Sequence, residues 1–240
     1  ILTARGHIES CHKSGKANLP KTALLFYMHG GVEYTIENYK TELLTDSFGR
    51  FLGSCPVYKF SDSDVCFLHG GAGAPQAVDT LETLNALGVK NIVSVGMFGA
   101  FGDDVDSGDI VIPDKAFVEE GTSLHYYSSI DYAAPSRQLY NHALSEIEDA
   151  KTMPIVSTDA VYRQTFYKEE LWRNQGAVGV DMETSALFSV GRCLGVNVVA
   201  VLIASDKHPK NESAPKWKWT MTKEMRYRLF NQCIHFALQI

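Results

Sequence analysis

The stretch from residue 176 to 206, GAVGVDMETSALFSVGRCLGVNVVAVLIASD, limits what this chain can fold into more than any other. Val196 to Ala204 is a β-branched run, the pattern of a strand buried on both faces. Before it, Thr184 to Leu194 carries apolar residues at helical spacing (Ala186, Leu187, Val190, Leu194), and Gly195 stands where a helix C-cap falls. An acid sits at each end of this helix–strand unit. Glu183 closes the segment Gly179-Val180-Asp181-Met182-Glu183, and Asp206 follows Ser205 where the strand ends. Open α/β sheets bind ligands at the carboxyl ends of their strands, so both acids are candidates for chemistry.

The rest of the chain alternates in the same way. Strands are expected at Ala23–Met28, Asn91–Val95, Gly108–Ile112 and Ile155–Thr158, with a hairpin formed by Val57–Phe60 and Val65–Leu68. Helices are expected at Gln76–Leu87, ended by Gly88, at 136–151, and along the tail from Lys216 to Leu238. Val32 to Leu44 has loose helical spacing. The loop His69-Gly70-Gly71-Ala72-Gly73-Ala74-Pro75 lies between a strand and a helix, where glycines let a ligand approach backbone N–H groups. Its spacing is not GxGxxG, and no GK[ST] follows. There is no internal repeat and no linker. The reading is a single α/β domain over residues 21–240, preceded by a polar arm over 1–20 whose notable group is His7.

A net charge of −6 without a basic block argues against a nucleic-acid partner. The longest apolar run, Val198 to Ala204, is far short of the ~20 residues that span a bilayer, so no membrane partner is expected. Residues 1–20 have no apolar core of a secretory signal, and five cysteines without a CxxC pair read as free thiols. Both point to a reducing, cytoplasmic setting. His125, His142 and His208 form no ligand-spaced cluster with the cysteines, so no metal is implied.

These motifs, taken together and in order, resemble the nucleoside phosphorylase family, which includes purine nucleoside phosphorylase, uridine phosphorylase and the nucleosidases. Gly71-Ala72-Gly73-Ala74-Pro75 is similar to its GxGxP loop, and Gly96-Met97-Phe98-Gly99-Ala100 to its second glycine turn. Gly108-Asp109-Ile110-Val111 resembles its GD-plus-strand, and 120–126 a segment of the uridine enzymes. Gly179 to Glu183 with Ser205-Asp206 is the most specific element. The resemblance implies a mixed central β-sheet partly closed into a barrel with flanking helices, in a homodimer or trimer of dimers. It implies cleavage of the N-glycosidic bond of a nucleoside, with inorganic phosphate as co-substrate and no cofactor.

By resemblance, Glu183 accepts hydrogen bonds from the ribose hydroxyls, and its charge stabilises a cationic sugar. Met182 packs on the ribose, and Asp181 and Ser205 flank the two acids at the substrate. Asp206 matches the acid that protonates a purine base as it departs, a role that needs a pKa raised by burial. Phe98, Gly99, Ala160 and Val161 map to the base pocket. The family's stacking aromatic is missing at Val161, so Tyr162 or Phe166 is the expected substitute. His7 matches a histidine that reaches across a dimer to the 5′-hydroxyl.

The phosphate ligands fit less well. Where the phosphorylases have GDP and then an arginine, this chain has His29-Gly30-Gly31-Val32-Glu33-Tyr34. Ser94 stands for a second arginine and Met97 for a hydroxyl residue, which leaves Arg50 near the place of a third, contributed across subunits. Gly73 completes the expected phosphate or water site. A phosphate dianion calls for charge-assisted donors. Water activated by Glu33 is therefore an alternative nucleophile, although Glu33 also reads as an ordinary helix-start acid. A non-catalytic binding or storage protein is the third reading.

Overall fold

The computed structural model describes residues 1–11 and 19–240. In chain order, the first half contains α1 (Ala4–Cys11), β1 (Thr22–Phe26), α2 (Gly31–Asn38), β2 (Thr41–Thr45), β3 (Val57–Phe60), β4 (Val65–His69), α3 (Gly73–Ala86) and β5 (Asn91–Ala100). Then follow β6 (Ile110–Val111), β7 (Ala116–Glu119), β8 (Tyr132–Ala133), α4 (Arg137–Glu146), β9 (Ile155–Thr158), α5 (Phe166–Asn174), β10 (Gly179–Asp181), α6 (Thr184–Leu194), β11 (Asn197–Lys207) and α7 (Lys223–Ala237).

Strand β11 runs parallel to β5 along the whole length of both, from Asn197 opposite Asn91 to Lys207 opposite Ala100. Its apolar run is divided residue by residue between two cores. Val198, Ala200, Leu202 and Ala204 face one core, which α3 fills with Ala77, Leu81 and Leu84 and α6 with Ala186, Leu187 and Val190. Val199, Val201 and Ile203 face the other, filled by Leu229, Phe230, Cys233 and Phe236 of α7. Strict alternation with both faces covered is why this strand reads as continuously apolar. Each such side chain contributes about 1.5–3 kcal/mol by leaving water.

Strand β5 is where the sheet forks. Its residues 91–95 pair with β1 in parallel, while Gly99 and Ala100 pair with β10 antiparallel. The main path runs β2-β3-β4-β1-β5-β10-β9-β7-β8, and β11 with β6 branches from β5. The sheet is mixed and flanked by helices, as expected, and its hydrogen bonding does not close into a full barrel: the path ends at β2 and β8 without joining them.

Other boundaries differ for local reasons. The helix expected in 32–44 stops at Asn38, and Thr41–Thr45 pairs with β3 instead. The tail helix starts at Lys223, capped by the Thr222 side chain, so residues 216–222 are irregular. Within the 1–20 arm, Ala4–Cys11 is helical, and Ile8 is buried. Among the described residues no helix is long and apolar enough to cross a membrane.

Gly179 keeps β10 close to β5. A Cβ there would lie 2.1 Å from Cδ2 of Phe98, a ring only 1% exposed. Gly179→Ala is expected to cost about 1–3 kcal/mol, the range for extra atoms forced into a packed core. Thermal denaturation should then show Tm lower by about 2–4 °C for each kcal/mol. A wild-type Tm would mean that the Phe98 ring is not confined at this crossing.

Candidate active site

Asp206 stands on β11 and Glu183 just beyond β10, and these two strands flank the same residue. Gly99 of β5 is level with Val180 of β10 on one side and with Asp206 of β11 on the other. Beyond Val180 the chain turns into α6, and Asp181 fixes that turn. Its Oδ2 accepts from Thr184 N at 3.0 Å and Thr184 Oγ1 at 2.5 Å, and its Oδ1 from Ser157 Oγ. Expected at the substrate, Asp181 is instead occupied by its own chain on both oxygens. Its pKa is raised, by burial first, against the pull of these donors.

Glu183 occupies the N-cap position of α6 without capping it. Its Oε1 accepts a 2.7 Å hydrogen bond from the N–H of Gly73, the first residue of α3. Gly73 has φ +73°, a left-handed value natural only to glycine, and this aims its N–H at the acid. Burial and the neighbouring charge of Asp181 push the Glu183 carboxyl up to about 8, against the Gly73 hydrogen bond. Gly73, expected to meet phosphate or water, donates its N–H to Glu183 instead. Met182 is half-buried.

Asp206 is only 3% exposed and sits in the opposite environment. Burial pushes its pKa up, but hydrogen bonds from His208, Ser205 and Trp217 outweigh it and hold the carboxyl below the usual carboxylate range. Ser205 Oγ donates to Oδ1, and Trp217 Nε1 donates to Oδ2 at 2.6 Å. His208 Nε2 is 3.3 Å from the same Oδ2. The expected raised pKa is therefore corrected: Asp206 is an ionised carboxylate. The other imidazole nitrogen, Nδ1, is 2.6 Å from Oε1 of Glu169, whose Oε2 accepts from Arg173 Nη2 at 3.0 Å. Burial works against a charged imidazole, but the two carboxylates prevail and lift His208 to about 9. A Cβ on Gly99 would fall 2.4 Å from His208 Nε2, so the glycine makes room for the ring.

His208, Glu169, Arg173 and Trp217 escaped the sequence reading. Their signals were the i, i+2 spacing of His208 from Asp206 and the i, i+4 spacing of Glu169 and Arg173 within an amphipathic segment.

Near Glu183, the hydroxyl of Tyr27, the residue after β1, is buried and without a hydrogen-bond partner. Its pKa is raised well above the ordinary value, by burial first and then by the charge of Glu183, while Arg50 opposes the rise. Arg50 is buried in its own chain, donating from Nε to Gly53 O at 2.9 Å and from Nη1 to His69 O at 3.0 Å and Thr80 Oγ1 at 2.7 Å. Glu33, exposed in the first turn of α2, has its Oε1 3.5 Å from His69 Nε2.

Several expected positions lie elsewhere. Ser94 is buried within β5, level with Leu25 and Ala200. Met97 packs against the α7 core, because odd-numbered β5 residues face that side. Phe98, expected on the base-pocket wall, lies in the other core against Gly179. Tyr162 is 96% exposed, and Val161 and Phe166 are exposed as well, so none of them is packed into a pocket of this chain. His7 lies in α1 with its ring 5.1 Å from that of Phe51. Two cavities of about 410 and 330 Å³ open at the amino ends of β5 and β11, the opposite end from the acids. Among the described residues no three His, Cys, Asp or Glu gather as metal ligands.

Comparison with known proteins agrees with this architecture. The chain is 30% identical over 144 residues to the DeoD-type purine nucleoside phosphorylase of Clostridium novyi, covering 57% of this chain and 62% of that one. It is 30% identical over 147 residues to a guanosine phosphorylase of Halorubrum lacusprofundi, covering 59% and 61%. The matched stretch thus spans less than two thirds of either relative. The crystal structure of Toxoplasma gondii purine nucleoside phosphorylase in complex with immucillin-H superimposes with a TM-score of 0.79 over 92% of both chains, at 15% identity, and shares the fold. Residues 30–229 match the family model described as the phosphorylase superfamily, and this chain belongs to that superfamily.

Proposed function

We propose that this protein cleaves the N-glycosidic bond of a nucleoside, with Glu183 holding the sugar and Asp206 facing the departing base. The observation that carries the reading is a pair of carboxylates in opposite protonation environments, Glu183 two residues beyond the end of β10 and Asp206 on β11, the two strands being those that pair with Gly99. Two acids whose surroundings drive their pKa values apart are suited to two different roles. Glu183, once ionised, offers two acceptor oxygens to the 2′- and 3′-hydroxyls and a negative charge to a sugar gaining oxocarbenium character. Asp181 acts one step back, fixing the turn that presents Glu183.

A purine-type base is the preferred substrate. The acid at position 206 supports this, as do relatives named for purine nucleosides and guanosine. Phosphorolysis follows the same relatives, which makes the reaction a pentosyl transfer to inorganic phosphate. Hydrolysis is the second reading, favoured by the Glu33–His69 pair at 3.5 Å and by Arg50, whose Nε and Nη1 are already bonded. A homo-oligomer would bring His7 and the exposed Val161, Tyr162 and Phe166 of one copy to the site of another.

The test is a nucleoside panel incubated with and without phosphate, scored for free base, ribose and ribose 1-phosphate. Ribose 1-phosphate formed only with phosphate is the expected product. Free ribose formed without phosphate would move the protein to the hydrolases, and no turnover on any nucleoside would remove the glycosidic reading. Glu183→Ala should lower kcat/KM by about 10²–10³-fold, the usual loss of one oriented electrostatic group, with circular dichroism unchanged.

The pH profile follows from the sign of the Glu183 shift. Its carboxyl is raised to about 8, so below that pH it is protonated and has lost acceptor capacity. In the free protein kcat/KM should therefore climb as pH rises through about 8. Glu183→Gln should flatten that limb. A profile level from pH 6 to 8 in the wild type would separate Glu183 from sugar binding.

A further inference from the structure

We propose that His208, clamped between Asp206 and Glu169, is the source of the proton that the leaving base takes up, and that Glu169 is the positioning residue that keeps it charged. This deepens the glycosidic reading above and rests on it. Three geometric facts carry it. Both imidazole nitrogens face carboxylates, Nδ1 at 2.6 Å from Glu169 Oε1 and Nε2 at 3.3 Å from Asp206 Oδ2, so both must carry hydrogens for the ring to bond on both sides. Glu169 is 4% exposed and anchored by Arg173, whose Nε also donates to Phe101 O at 3.1 Å, so the clamp is fixed from behind. Asp206 accepts from Ser205, Trp217 and His208 at once, which leaves it ionised and unable to serve as the acid by itself.

The remaining charges nearby are turned elsewhere. Lys207 donates to the carbonyls of Gly102 and Val105 and lies 3.7 Å from Asp106, and Lys210 pairs with Asp103. From β5, the uncharged Gly99 lies against the ring. Asp206 and Glu169, with Arg173 behind, are the charged groups that face His208.

The step balances. As the bond from C1′ to the base nitrogen breaks, its electron pair leaves with the base. The proton on His208 Nε2 moves to the ionised Asp206, and the carboxyl so formed passes a proton on to a ring nitrogen of the base. One imidazolium is consumed, one N–H is formed on the base, Asp206 ends ionised as it began, and water then recharges the histidine.

The first measurement is an NMR titration of the His208 ring in the free wild-type protein, assigned with His208→Gln. The ring should remain an imidazolium at neutral pH and lose its proton near 9. Glu169→Gln should lower that midpoint by about one unit or more, the size of effect a neighbouring carboxylate exerts. The alkaline limb of kcat should move with it, with KM little changed. A second measurement bypasses the fold of Glu169→Gln. His208→Gln should lose about 10²-fold in kcat on ordinary nucleosides, the lower end of general acid–base effects. It should retain wild-type rates on a nucleoside whose base is already cationic by ring N-methylation, because that base departs without a proton. A neutral His208 at neutral pH, an unmoved alkaline limb, or equal losses on both substrates would overturn the proton source while leaving the glycosidic reading intact. A wild type that cleaves no nucleoside would remove that reading and this one together.

Discussion

The hydrogen bond from Gly73 N–H to Glu183 Oε1 joins the amino ends of α3 and α6, and the geometry of the site depends on it. Both helices fill the same core, and both begin beyond the carboxyl ends of strands, so their first turns converge at the rim of the sheet. A helix amino end carries a partial positive charge, and α3 directs it at a carboxylate. That carboxylate is also pressed by burial and by Asp181, which favour the proton. The result is an acid balanced between its two states, ready to respond to the hydroxyls of a sugar. The neighbouring loop is equally constrained, since a Cβ on Gly70 would fall 2.3 Å from Cζ of Tyr27.

The second acid is held by different physics. Arg173, Glu169, His208 and Asp206 form a row of alternating charges, each member within hydrogen-bond or ion-pair distance of the next. Charges taken out of water are costly unless each is paired, and breaking such a row strands the remainder. The row therefore fits the proposed supply of a positioned proton and a fixed negative oxygen better than it fits a source of net stability. Burial acts on both Glu183 and Asp206, yet one is raised to about 8 and the other is lowered, because Glu183 has the like charge of Asp181 beside it while Asp206 has His208, Ser205 and Trp217 as donors. The neighbours of each carboxylate separate the two acids.

Much of this could be read from the chain. The β11 run, the α6 periodicity and the glycine that ends each of α3 and α6 are local signals, and the structure follows them. The acids at 183 and 206 stood out for the same reason: each ends an apolar element. Less legible was whatever depends on pairing across the sheet. The fork of β5 cannot be seen in its own residues, because the switch from β1 to β10 is decided by partners about 70 and 80 residues away on either side. Strands as short as β7 and β8 carry too few residues for a period to emerge. The charge row was hidden because Glu169 reaches His208, just past the end of β11, from helix α5 some forty residues earlier, and Trp217 lies in a segment whose composition suggested the start of α7.

Alternation along β5 also limits the nucleophile. Even-numbered residues such as Phe98 face the core of α3 and α6, on whose rim Glu183 stands, so Met97 is turned to the opposite side of the sheet. No hydroxyl at position 97 could have reached Glu183 from there. What remains near the Tyr27 hydroxyl is the charge of Glu183 on one hand and of Arg50 on the other. A dianionic nucleophile brought to this corner would be repelled by an ionised Glu183 and tolerated by a protonated one. The sugar hydroxyls ask for the ionised form instead. Phosphate and sugar would thus compete through a single proton on Glu183, each weakening the other by the same free energy. Water imposes no such conflict. On the proposed glycosidic reading, the charge state of Glu183 with both ligands bound, more than the number of arginines nearby, would decide between transfer to phosphate and transfer to water.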